Sequence, residues 1–224
     1  MTQAAPFRDR AQAGRELAAE LREFAGRSDV RVLALPRGGV PVAYEVAHAL
    51  RAPLDVFLVR KLGLPGHEEF AMGAIATGDV VVLDDEVLRT FGVDQRSVDR
   101  VIQRERDELE RRAHAYRGNE PPVNVSGCTV IVIDDGLATG ATMRAAVIAL
   151  RREKPRRIIV AVPVAAPETC RSFREGPDAA DDVVCLRTPE PFQAVGLWYH
   201  DFDQVTDDEV RALLNSARYD ASRD

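Results

Sequence analysis

Residues 130–143 read VIVIDDGLATGATM: an apolar strand, two adjacent carboxylates, and a turn of small residues that opens a helix. In open α/β sheets ligands bind just beyond the carboxyl ends of strands. Gly136, Thr139, Gly140, Ala141 and Thr142 leave backbone N–H groups bare there, and the helix start adds partial positive charge. That makes a phosphate cradle, with the Thr139 and Thr142 hydroxyls as extra donors. No lysine stands in the turn, which separates it from the GxxxxGK[ST] loop. Asp134 and Asp135 would repel a phosphate, so they point elsewhere, toward ribose hydroxyls or a magnesium ion held through them. A tight turn with an N-capping acid is the plainer alternative, but it leaves the second carboxylate and both threonines unused.

The flanking sequence alternates strand and helix. Upstream, 30–35 (VRVLAL) is a buried strand stopped by Pro36, and 40–50 is a helix that tolerates Pro41 in its first turn. Residues 54–59 (LDVFLV) read as a second strand, so the order matches a parallel sheet covered on both faces. Residues 60–70 (RKLGLPGHEEF) mix glycine, proline and both charges and predict a long mobile loop. A hairpin over 74–83 turns at Gly78-Asp79, and VVVLDDEVL (80–88) makes Asp84 and Asp85 a helix cap.

Residues 95–116 form a charged helix whose apolar stripe is Val98, Val101, Ile102, Leu109, Ala113 and Tyr116. Its centre, RERDELERR (104–112), reads as a solvated face. Downstream, strands at 130–133, 158–164 and 183–186 alternate with helices at 142–152 and 167–174, and a helix over 206–217 follows. With an opening helix within 7–24, the pattern predicts a doubly wound α/β fold with a mainly parallel sheet flanked by helices. No linker divides the chain, which reads as one domain over 1–224 with its core at 30–188.

Composition narrows the class. Hydrophobic residues make up 46% and charged residues 29% of 224, enough for a packed core. A net charge of −6 argues against a nucleic-acid partner. No apolar run has membrane-spanning length, and the charged N-terminus lacks a signal-peptide core, so a cytoplasmic protein is expected. Cys128, Cys170 and Cys185 are scattered, which favours reduced thiols over a disulfide or zinc framework. A dinucleotide-binding dehydrogenase fails because no GxGxxG follows a strand.

The 130–143 segment closely resembles the phosphoribosyl pyrophosphate signature of the type I phosphoribosyltransferases. The resemblance implies that Asp134 and Asp135 bind ribose hydroxyls and that Leu137, Ala138, Thr139, Gly140, Ala141 and Thr142 hold the 5′-phosphate. It gives LPRGGVP (35–41) the pyrophosphate loop, with Arg37 and the Gly38 and Gly39 amides. It places Arg60 and Lys61 beside the leaving pyrophosphate, where cations stabilise developing charge. A loop beyond them closes over the site and offers Glu68, Glu69 or His67 as a proton relay, solvated loop charges being the alternative.

Ala138 stands where enzymes acting on 6-oxopurines carry an aspartate, so an acceptor base without a 6-oxo group is favoured. A small hood over 189–205, joined by the N-terminal segment, offers Phe192, Trp198 and Tyr199 for stacking and Asp201 for hydrogen bonding. A tryptophan packing the hood's own core is the competing reading. FRDRAQAGRELA (7–18), LPRGGVPVA (35–43), VRKLG (59–63) and TPEPFQAVGLWY (188–199) further resemble a bacterial group of stand-alone phosphoribosyltransferase-like proteins. The implied activity is Mg²⁺-dependent transfer of a phosphoribosyl group to a small nitrogen base. A non-catalytic sensor of phosphoribosyl pyrophosphate is the alternative, and family habit suggests a homodimer.

Overall fold

The computed structural model describes residues 5–176 and 179–221. Five parallel strands form the central sheet: β1 (Val30–Ala34), β2 (Leu54–Val56), β6 (Thr129–Ile133), β7 (Arg157–Val164) and β8 (Asp182–Arg187). Their order is β2-β1-β6-β7-β8. A second, antiparallel sheet holds β3 (Val59–Leu64), β4 (His67–Ala76) and β5 (Val80–Leu83).

The period-two alternation of strand side chains divides the interior. Val30, Val32 and Ala34 of β1, with Ile131 and Ile133 of β6, face α1 (Arg10–Glu20), α2 (Gly39–Leu50) and α7 (Asp207–Ala221). Leu33, Val130 and Val132 face the opposite way, onto α5 (Ala141–Arg152) and α6 (Pro167–Glu175). The sheet is therefore covered on both faces, as its continuous apolar strands predict. Two further helices, α3 (Asp85–Phe91) and α4 (Gln95–Arg117), follow the small sheet, and Val98, Val101, Leu109 and Tyr116 of α4 enter the first core.

Four expectations are corrected. The run 54–59 is not one strand: pairing with β1 ends at Ala34↔Val56, and Phe57 and Leu58 carry the chain out to the small sheet. Thr77 secures that exit, its hydroxyl accepting from Leu58 N–H at 3.0 Å and its own N–H donating to the Leu58 carbonyl at 2.9 Å. The 60–70 segment is not a loop but most of the β3–β4 hairpin, which turns at Pro65-Gly66 between the paired Leu64 and His67. Arg60 and Lys61 thus lie inside a strand, opposite Ile75 and Ala74.

The centre of α4 is not wholly solvated, because Glu105 is only 6% exposed. Finally, Cys170 of α6 and Cys185 of β8 are joined in a disulfide, leaving Cys128 as the free thiol. Fifteen residues separate that pair in sequence; the packing of α6 across β8 brings them together. The β4–β5 turn at Gly78-Asp79 and the Asp84 cap stand as expected, Asp84 accepting from the Glu86 and Val87 N–H groups at 3.0 Å. Among the described residues no helix is long and apolar enough to cross a membrane.

Candidate active site

The chain leaves β1 through α2 toward β2 on one side and leaves β6 through α5 toward β7 on the other. The crevice between the ends of β1 and β6 is therefore the topological switch point, where such sheets bind ligands. Both sequence motifs converge on it. The turn 35–38 follows β1, and the pair Asp134-Asp135 follows β6, with Leu35 N–H donating to the Ile133 carbonyl at 2.8 Å.

The contact leaves no room for side chains on the β1 turn. A Cβ at Gly38 would lie 2.0 Å from Asp135 Oδ2. One at Gly39 would lie 2.6 Å from the Ile133 carbonyl and 2.9 Å from Asp134 Cα. The glycines thus bring backbone directly against the carboxylates, which is a stronger requirement than a turn alone. The Pro36-Arg37 peptide bond is cis.

Asp134 Oδ1 accepts the Asp135 N–H at 2.9 Å. Burial holds its carboxyl well above the usual carboxylate range, and the neighbouring Asp135 adds to the rise. Burial also raises Asp135, against the opposing pull of Arg10. Arg10 opens α1 and donates Nε to Asp135 Oδ2 at 2.9 Å, with Nη2 at 2.9 Å from the same oxygen. The Tyr199 hydroxyl donates to the Asp135 carbonyl at 2.6 Å, and burial pushes that phenol above its ordinary value.

Beyond the carboxylates, Leu137 is fixed to the strand behind it: its N–H donates to the Val164 carbonyl, and its own carbonyl accepts from Ala166, both at 2.9 Å. The Leu137 side chain is buried, so only its backbone faces the turn. The Ala138 carbonyl accepts from the Thr169 hydroxyl at 2.6 Å. Gly140 has φ +71°, a left-handed conformation, and a Cβ there would meet Phe173 and Thr169 at 2.8 Å. Gly136 is equally confined, a Cβ lying 2.5 Å from Val195. Thr139, Ala141 and Thr142 stay exposed at the start of α5, where first-turn N–H groups lack intrahelical partners. Backbone N–H groups and hydroxyls of this kind are the chemistry that suits an anion.

The remaining candidates surround this centre unequally. Arg37 lies 3.8 Å from Asp207 at the start of α7. Arg60 is held by Glu105, its Nε 2.8 Å and Nη2 2.5 Å from Oε2. Lys61 lines a cleft of 710 Å³ between the small sheet and α5, together with Thr139, Thr142 and Arg144. Glu68 sits 3.6 Å from Arg104 on the outer face of the hairpin, and the His67 ring meets Phe70 edge-on at 6.5 Å. Glu69 belongs to β4, but its side chain lies outside the described structure.

In the hood, Trp198 is 9% exposed and packs with Phe7, Ala13 and Val164, the structural role of a core tryptophan. Tyr199 is stacked between Phe7 and Phe202, with ring centroids at 5.5 and 5.0 Å. Phe192 is half-buried against the same cluster, and exposed Asp201 accepts the Asp203 N–H at 3.3 Å.

Sequence reasoning missed Arg10, the Tyr199 hydroxyl and Glu105. Arg10 lies within 7–18, a stretch noted only for its family resemblance, and its partner is 125 positions away. Glu105 was within reach, since 98, 101, 105 and 109 follow one helical stripe. No group of three or more His, Cys, Asp or Glu able to hold a metal ion occurs among the described residues. The Asp134–Asp135 pair alone suits an ion that keeps several waters and is shared with substrate phosphates.

A model of the phosphoribosyl transferase domain matches residues 6–197. A Mycobacterium tuberculosis H37Rv protein named "Putative phosphoribosyl transferase Rv0571c" is 45% identical over 214 residues, covering 96% of this chain and 47% of the relative. The chain thus spans about half the length of the curated relatives it matches. The crystal structure of TT1426 from Thermus thermophilus superposes with a TM-score of 0.83 at 46% identity, covering 94% of this chain and 98% of that one. The Aquifex aeolicus protein AQ2163 shares the fold, with a TM-score of 0.51 at 13% identity over 84% of this chain and 78% of that one.

Proposed function

This chain belongs to the phosphoribosyl transferase domain family, and from that premise we propose that it transfers the 5-phosphoribosyl group of phosphoribosyl pyrophosphate to a nitrogen acceptor. The observation that carries the reading is the meeting of Gly38 and Gly39 with half-buried Asp134 and Asp135, directly before the start of α5. Each part of the donor has a counterpart there. The α5 N–H groups and the Thr139 and Thr142 hydroxyls suit the 5′-phosphate. Asp134 and Asp135 accept from the ribose hydroxyls, and the Gly38 and Gly39 turn with Arg37 suits the pyrophosphate.

The C1–oxygen bond to pyrophosphate breaks with its electron pair, and a bond from the acceptor nitrogen to C1 forms on the opposite face. Charge grows on the departing pyrophosphate, where Lys61 and Arg60 supply compensation. Arg60 does so by exchanging Glu105 for the phosphate oxygens. Glu68, Glu69 or His67, on the hairpin, takes the proton that the acceptor nitrogen loses. Asp134 and Asp135, with the substrate oxygens, would hold Mg²⁺, which would supply neutralisation of the pyrophosphate charge. Ala138 stands where the 6-oxopurine enzymes that this motif resembles carry an aspartate, which favours a nucleobase acceptor without a 6-oxo group.

The test is pyrophosphate release from phosphoribosyl pyrophosphate and Mg²⁺ across a panel of bases, with the unmodified chain and an Asp134→Asn, Asp135→Asn double variant. Base-dependent release that falls at least about 100-fold in the folded double variant is expected. Unchanged turnover in that variant contradicts the assignment. Donor binding without release for any base favours the second reading, a sensor, for which the Arg60–Glu105 pair is the supporting observation.

A further inference from the structure

Arg10 is held at three points far from its own helix. Two of its nitrogens meet Asp135 Oδ2, Nη1 donates to the Asp203 carbonyl at 2.9 Å, and the guanidinium lies 3.9 Å over the Phe202 ring. Its side chain is 12% exposed and that of Asp135 is 16% exposed. A long arginine costs considerable rotamer freedom to hold in one place, so a surface ion pair does not resemble this arrangement. The planar fork, the ring beneath it and the carbonyl together leave it one orientation.

The consequence falls on Asp135. Its Oδ2 is engaged by Arg10 and abuts Gly38, while its backbone carbonyl is held by Tyr199. The oxygen that Arg10 does not engage is Oδ1. Two adjacent half-buried carboxylates repel one another, and with no cation beside them Asp135 would turn away from Asp134. A hydroxyl-bearing ligand needs acceptor oxygens at fixed positions before it arrives. Arg10 supplies that fixing from α1, and through Phe202 and Asp203 it ties the hood to the crevice.

We propose that Arg10 is a positioning residue for the sugar: it locks Asp135 so that the carboxylate pair receives the vicinal hydroxyls of a ribose phosphate. The inference rests on the functional reading above and adds a residue to it. Arg10 bonds to Asp135 and to no residue of the Gly38–Gly39 turn, so its loss falls first on the sugar, whereas a general loosening of the fold would weaken both ligands together.

The experiment is calorimetric titration of the unmodified chain, Arg10→Gln and Arg10→Lys with ribose 5-phosphate and, separately, inorganic pyrophosphate. Arg10→Gln is expected to weaken ribose 5-phosphate by about tenfold or more while pyrophosphate affinity stays unchanged. Arg10→Lys keeps the charge but loses the fork, and is expected to recover part of the loss. Equal losses for both ligands, no loss for the sugar, or tighter sugar binding each overturn the inference. Should Arg10→Gln fail to fold, Phe202→Leu removes the ring but keeps the ion pair. A smaller, sugar-selective loss is then expected, and no selectivity overturns the inference. If the unmodified chain binds phosphoribosyl pyrophosphate but the variants show no such selectivity, the role of Arg10 alone is overturned. An unmodified chain that binds neither phosphoribosyl pyrophosphate nor ribose 5-phosphate sinks the functional reading and Arg10's role with it.

Discussion

Gly39 packs against backbone on both sides, with a Cβ placed there 2.6 Å from the Ile133 carbonyl and 2.9 Å from Asp134 Cα. Neither neighbour is the loose end of a side chain, so Gly39→Ala must part the ends of β1 and β6. A loss of about 1–3 kcal/mol in denaturant unfolding is expected, together with weaker sugar-phosphate binding. Wild-type stability and affinity would show that the two turns do not need this closeness. Glu153 makes a second residue-scale case, since its Oε1 is buried without a hydrogen-bond partner among the described residues. Burial raises its carboxyl, so the native state binds more protons than the unfolded state, and wild-type stability falls as pH rises through that range. Glu153→Gln is expected to melt higher at about pH 8, by under about 1 kcal/mol because the group is partly solvated. The gain should vanish toward about pH 4, where both states are protonated. A gain independent of pH would contradict this origin. At this scale the sequence already displayed Asp134, Asp135, Thr139 and Thr142, because one short segment holds them all. Arg10 and the Gly38–Asp135 contact were hidden, because each joins distant parts of the chain.

The β3–β4 hairpin is fastened to α4 by charge. Glu105 receives Arg60 and also lies 3.0 Å from Arg104, which reaches Glu68 at 3.6 Å. Glu105 is buried while Arg60 is 30% exposed, so breaking the pair falls below the loss of a fully buried one. Glu105→Ala is expected to lose about 1–3 kcal/mol and to speed proteolysis at the Pro65-Gly66 turn. A double-mutant cycle with Arg60→Ala isolates the pair, and a coupling near zero would show that apolar packing alone seats the hairpin. Composition misled here for a physical reason. Gly63, Pro65 and Gly66 within 60–70 suggest a loop, yet Pro65-Gly66 is a two-residue turn and the antiparallel partner supplies the hydrogen bonds. The charged centre of α4 likewise hides one acid that sits on the apolar stripe. The disulfide escaped notice because Cys170 and Cys185 stand on different elements, α6 and β8, whose packing the local pattern does not specify.

Across the whole molecule, the sheet order places the Gly38–Gly39 turn and the Asp134–Thr142 turn after neighbouring strands, β1 and β6. The strand–turn–helix units were legible because local apolar patterning specifies them. Trp198 and Tyr199 are committed to packing with Phe7 of the N-terminal segment, and only the assembled fold decides between that core role and the stacking of a base. The account's central claim is that the switch point binds phosphoribosyl pyrophosphate. Calorimetric titration of the purified chain with that donor, with and without Mg²⁺, tests it most directly. Saturable binding that Mg²⁺ strengthens is the expected result, and no binding in either condition would contradict the account.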